Sequence, residues 1–197
     1  KMSIVILITL IFGIVTGVFA GNTIDGIFVE KMSSLLLWLL LFCVGIDMGL
    51  NKQVFVQIKK LGFKILLIPF GVAVGSLLGG SVVSLFFPHT LKECLAISSG
   101  MGWYSLSGIL LTKAGNTTGG TISFLANVMR EMLTFISVPF IAKHINYYCA
   151  IAPGGATAMD TTLAIISRNT NATIAVMAFV SGVSLTMIVP ILVPVFL

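Results

Sequence analysis

Residues 96–115 read AISSGMGWYSLSGILLTKAG, and residues 150–167 read AIAPGGATAMDTTLAIIS. Each stretch has apolar arms around a small, polar, glycine-rich centre. Gly100 and Gly102 interrupt the first; Pro153, Gly154 and Gly155 interrupt the second. A helix run through such a centre breaks and frees backbone N–H and C=O groups. Inside a bilayer those groups are tolerated only where protein or a water-filled cavity satisfies them. Both stretches therefore read as broken or re-entrant helices.

The bilayer itself follows from composition. Of 197 residues, 57 % are hydrophobic and only 9 % charged, with a mean hydropathy of +1.13. A soluble domain carries about 25 % charged residues, so this chain cannot cover a water-facing surface. It reads as an all-α integral membrane protein. Met2 to Ala20 is long enough to span and is followed by more spans, so it does not read as a cleaved signal. Apolar segments fall at 2–20, 33–50, 62–87, 94–112, 119–142, 147–166 and 172–197. The connections are short, which predicts one membrane domain over 1–197. Three N-terminal spans occupy 1–87.

The rest repeats. A shift of 52 residues lays TISFLANVMREMLTFI (121–136) on TIAVMAFVSGVSLTMI (173–188), and Gly102 on Gly154. The repeated unit is a broken segment plus a spanning helix, at 91–142 and again at 147–197. If each broken segment re-enters, each unit crosses once and the two are inverted. The expectation is about five spanning helices plus two broken segments, an inverted repeat of the transporter type. Glycines at 13 and 17, and at 71, 75 and 79, recur every four residues, a spacing that lets helices pack closely.

The net charge of +5 does not point to nucleic acid. The basic residues are scattered, apart from Lys52, Lys59, Lys60 and Lys64, and such a cluster marks a cytoplasmic loop. That places the N-terminus in the cytoplasm and the C-terminus outside. Cys43, Cys94 and Cys149 are far apart and read as packed thiols. His89 and His144 stand alone, so no metal or other cofactor is expected. No nucleophile elbow, phosphate loop or acidic metal motif is present, which argues against an enzyme.

The chemistry sits in LANVMREMLTF (125–135), mid-way along an apolar run. Intramembrane ionisable groups cost about 2.5–3.5 kcal/mol each on insertion scales and mark function by default. Arg130 and Glu131 point about 100° apart on a helix, so they are poor partners for each other. Asn127 shares a face with both. Arg130 either faces a cavity or pairs elsewhere and locks helices together. Asp47, in FCVGIDMGL, lies either at depth or at a solvated helix end. Asp160 follows the second break; it either caps a half-helix or lines a site opposite Glu131, beside Gly154, Gly155 and Thr157. Trp103, Tyr104, Ser105 and Ser107 sit in the first break, either at headgroup level or reaching the substrate.

GWYSLSGILLT (102–112), the element Asn127/Arg130/Glu131, GGATAMD (154–160) and VPIL (189–192) together resemble the LysO-type lysine exporter family. The resemblance covers nearly the whole chain, which looks like the C-terminal transporter domain of longer members. It implies a cytoplasmic-membrane exporter of L-lysine and a lysine analogue, coupled by antiport to proton entry. Glu131 matches the family's Arg-Glu position, with Asp47 a second matching acid. GGATAMD departs from the family's Cys-Gly start. Longer members carry further N-terminal spans, so the resemblance implies a homodimer or a small membrane partner subunit.

On these grounds Glu131 exchanges a proton for the substrate ammonium, with Asp47 and Asp160 as further acids. Arg130 takes the substrate carboxylate. A transporter of another small solute, a passive channel and a scaffolding subunit remain the alternatives.

Overall fold

The computed structural model describes residues 62–197, the side chains of Phe63 and Lys64 aside. Within the first fifty residues it describes 8, 12, 13, 15–19, 28, 31, 32, 35, 36, 39, 42, 43 and 46. The chain divides into two units, Lys1–Leu50 and Asn51–Leu197. In the first, every described residue is helical. Its Phe12, Val18 and Phe19 are exposed, and Thr16 Oγ1 donates to Phe12 O at 2.8 Å. Asp25, Glu30, Asp47, Lys52, Lys59 and Lys60 lie outside the described residues.

The second unit opens with a 3₁₀ turn, Phe63–Leu66, that runs into α1, Leu67–Val83. Then come α2, Leu91–Ser98, and α3, Tyr104–Lys113. The long helix α4 spans Thr117–His144. A 3₁₀ segment, Cys149–Met159, leads to α5, Leu163–Asn169, and to α6, Ala172–Val195. Among the described residues there is no strand.

Among the described residues two helices are long and apolar enough to cross a membrane. The 28 residues of α4 extend about 42 Å and the 24 of α6 about 36 Å, against a hydrocarbon core of about 30 Å. Their outer faces are apolar: Ile136 is 74 % exposed and Ile191 69 %. Water would penalise such a surface, whereas lipid does not.

The first broken segment is a hairpin whose two ends meet. Thr90 caps α2: its hydroxyl accepts from Glu93 N, and Glu93 accepts in return from Thr90 N. Asn116 caps α4 by accepting from Gly119 N at 2.7 Å. The same Asn116 donates Nδ2 to Glu93 Oε1 at 2.8 Å. The entry of α2 and the exit of α3 therefore lie side by side at the N-terminal end of α4. Close approach of Gly108 to Gly120 lets α3 run against α4; a β-carbon on Gly108 would lie 3.1 Å from Gly120 O.

The second broken segment returns to the other end. Ile151 near its entry and Ile166 near its exit share one core with Val138 and Ala142 of α4 and Ile174 and Ala178 of α6. That core surrounds the C-terminal half of α4. The two hairpins thus start from opposite ends of α4.

The expectations about small side chains divide. Among the described residues nothing lies within 4 Å of a β-carbon built on Gly71, Gly75 or Gly79. The close contact of α1 falls instead on Gly80, whose β-carbon would meet Cys94 O at 2.9 Å. Cys149 is exposed rather than packed, while Cys94 is buried.

Candidate functional site

The hairpin tips touch. In the first, Met101 has φ 46° and Gly102 φ 104°. In the second, Gly155 has φ 58° and ψ −129°. Ala156 N donates to Met101 O at 2.8 Å. A β-carbon on Gly155 would collide with Met101 O, and one on Gly102 would lie 3.2 Å from Gly154 O. The left-handed glycines bring the two backbones this close because no side chain intervenes.

Two residues of α4 satisfy what the breaks expose. Asn127 is buried, and its Oδ1 accepts from Gly102 N at 2.7 Å. Its Nδ2 donates to Ser123 O at 2.8 Å, and Ser123 Oγ donates to Ser107 Oγ at 2.9 Å. Arg130, one turn on, serves the second hairpin. Its Nε donates to Pro153 O at 2.9 Å and its Nη2 to Ala152 O at 3.1 Å. Those carbonyls end the first arm, where a cation also complements the helix dipole. Its Nη1 donates to Ser76 Oγ of α1 at 2.9 Å. The amide and base at the middle of α4 each hold one hairpin.

Glu131 points elsewhere. Among the described residues it has no hydrogen bond and no ion pair. Its neighbour in charge is Tyr104, whose phenol feels both Glu131 and Asp160. Tyr104 opens α3 and is held edge-on to Phe124 of α4, with ring centroids 5.6 Å apart. Asp160 is exposed at the junction of the 3₁₀ segment with α5, and accepts from Thr161 N. It therefore caps no half-helix directly after the glycines.

The remaining candidates divide. Ser107, Gly154, Gly155 and Thr157 are buried in the tips. Thr157 Oγ1 donates to Gly154 O at 2.7 Å and lies 3.2 Å from Thr162 Oγ1. Trp103 is half-buried and Ser105 exposed. Asp47 is outside the described residues. Ser76 and Ser123 are participants that sequence reading missed. Ser123 was findable, four residues before Asn127 on the same face; Ser76 carries no signal in its own neighbourhood. Among the described residues no group of three or more His, Cys, Asp or Glu could hold a metal ion.

A family model described as lysine exporter LysO matches residues 7–197. The chain is 35 % identical over 166 residues to the lysine exporter LysO of Escherichia coli, covering 84 % of this chain and 55 % of that protein. It is 33 % identical over 153 residues to a Haemophilus influenzae protein described, provisionally, as a lysine exporter, covering 78 % and 77 %. The chain thus spans about half the length of the first relative. No solved structure matches it.

Proposed function

The chain belongs to the LysO lysine exporter family, and from that premise we propose that it exports L-lysine and lysine analogues across the cytoplasmic membrane by proton antiport. The observation that carries the reading is the meeting of two broken hairpins from opposite ends of α4, beside a Glu131 that has no hydrogen bond or ion pair among the described residues. A cation such as lysine needs carboxylates that no protein cation has neutralised. Backbone freed at a break, in turn, is stable at depth only when other protein groups satisfy it, as Asn127 and Arg130 do here.

In this reading Glu131 exchanges a proton for the substrate ammonium. Asp160 supplies the second negative charge, and Asp47 a third from the N-terminal spans. Units 91–142 and 147–197 form an inverted repeat; the opposite entry of the hairpins supports this. The N-terminus is cytoplasmic and the C-terminus outside. A second copy or a small membrane subunit completes the assembly.

The test is lysine flux in proteoliposomes containing only this chain, driven by an imposed proton gradient. Glu131→Gln keeps the shape but cannot carry the proton, so driven flux should disappear while the protein remains inserted and folded. Undiminished driven flux in the variant would remove Glu131 from the mechanism. Absence of lysine flux from the wild-type chain, with the same result when E. coli membrane extract is added back, would remove the export reading.

A further inference from the structure

Ser76 and Arg130 are common to the walls of two cavities that lie along one seam between α1 and α4. The first, about 530 Å³, follows α4 from Ile122 to Arg130, and the second, about 460 Å³, from Arg130 to Ile141. Together they follow α4 for about 28 Å, close to the roughly 30 Å of a hydrocarbon core. The seam therefore runs nearly the depth of a bilayer, and the bond from Arg130 Nη1 to Ser76 Oγ crosses it near the middle. The space exists because α1 presents Gly71, Gly75 and Gly80 to it, and none of them has a side chain to fill the gap.

Such a seam has room for water, at about 30 Å³ a molecule, and Ser98, Asn127 and His89 add polar groups to the apolar walls of the first cavity. At the crossing its charge has one sign. Among the described residues no Asp or Glu lines either cavity, and Arg130 makes no ion pair. Arg130 Nε and Nη2 donate to Pro153 O and Ala152 O. These partners are neutral, so the guanidinium keeps its charge and is held in one place. A fixed Arg in a narrow path repels protons and cations. A proton antiporter needs such a barrier, because every proton that crosses without substrate dissipates the gradient that drives export.

We propose that Arg130, braced by Ser76, is the proton barrier of this seam and confines proton movement to the Glu131 side of α4. The proposal rests on the proton-antiport reading and adds to it the seal that coupling requires. The two residues divide the task. The Ser76 bond ties α1 to α4 across the gap, and the guanidinium supplies the charge. Glu131, about 100° round the helix from Arg130, lines neither cavity. The exchanging carboxylate and the barrier thus occupy different faces of one helix.

The experiment measures proton entry into proteoliposomes containing only this chain. The vesicles hold a pH-sensitive dye, valinomycin and potassium carry the compensating charge, and no lysine is present. Wild-type vesicles should be about as tight as protein-free ones. Arg130→Gln removes the charge and should leak about tenfold faster or more. Ser76→Ala removes the brace, keeps the charge and should leak several-fold faster. Among the described residues nothing lies within 4 Å of a β-carbon on Gly75, so Gly75→Leu fills the second cavity. Combined with Ser76→Ala, it should return the leak towards the wild-type rate. Ser76→Ala leaves the bonds of Arg130 to the second hairpin in place, so it decides the result even where Arg130→Gln does not fold. A leaky wild type, a wild-type rate in Ser76→Ala, or a leak that Gly75→Leu leaves unchanged each overturns the proposal. Lysine enters none of these measurements, so such results leave the export reading standing; that reading fails instead when the wild-type chain moves no lysine.

Discussion

Replacing Asn127 by alanine isolates the cost of the first break. The side chain is 4 % exposed, and its Oδ1 is the acceptor for Gly102 N at 2.7 Å. Alanine leaves that N–H buried without a partner, which costs about 1–3 kcal/mol. The other losses are smaller. Ser123 and Ser107 keep their mutual 2.9 Å bond, and Ser123 O, an intrahelical carbonyl, loses only an extra donor. Side-chain hydrogen bonds in membrane proteins average about 0.6 kcal/mol, because the unfolded chain in the membrane finds other partners. A backbone N–H stranded at a break finds none without moving the hairpin. The expected loss is therefore about 2 kcal/mol, or roughly 30-fold in the unfolding equilibrium. Trp103 adjoins Gly102, so its fluorescence reports the tip directly. In a Trp38→Phe background it is the remaining tryptophan of two. Reversible unfolding in mixed micelles is then measured for wild type, Asn127→Ala and Ser123→Ala. Ser123→Ala leaves the Gly102 bond intact and should lose only about 0.6 kcal/mol. Equal losses in the two variants would refute the claim that Asn127 holds the break.

Other perturbations test other parts of the fold. Gly155→Ala should cost about 3 kcal/mol or more in the same assay, combining a glycine-only backbone conformation with a collision at Met101 O; Gly71→Ala, with open space around its β-carbon, should be neutral or stabilising by about 0.5 kcal/mol. Cysteines placed at Lys92 and Lys113 should react with an impermeant thiol reagent from one membrane face and a cysteine at Arg168 from the other; labelling of 92 and 113 from opposite faces would make the first segment a full crossing. Thr90 N–H, more than any other group, holds the Glu93 carboxyl below its ordinary value of 4.5, with the Thr90 hydroxyl and Asn116 adding to it. A carboxyl lowered in the folded state stabilises above the unfolded value and ceases to as pH falls through the folded one. Protection of α2 backbone amides from hydrogen exchange should therefore hold at about pH 6 and fall below about pH 4, and Glu93→Gln should flatten that dependence.

Much of this protein is legible in its sequence. Composition alone demands a bilayer, because 9 % charged residues cannot clothe a soluble surface. Pro153, Gly154 and Gly155, and Gly100 with Gly102, announce the breaks, since backbone propensity is local and needs no partner to be read. The residues GWYSLSGILLT and NVMRE carry the family likeness in plain letters. What only the tertiary structure decided is where each polar group is spent. Asn127, Arg130 and Glu131 form one polar patch on a helical wheel. Folded, Asn127 goes to Gly102 N, Arg130 to Pro153 O, Ala152 O and Ser76, and Glu131 to none of them. The acceptors of Arg130 lie 22, 23 and 54 residues away, and two of them are backbone carbonyls that any residue would supply. Side-chain identity cannot reveal such a partner. Likewise the glycine spacing of α1 is as compatible with open space as with packing, because a missing side chain says nothing of what approaches it until the neighbouring helices are in place.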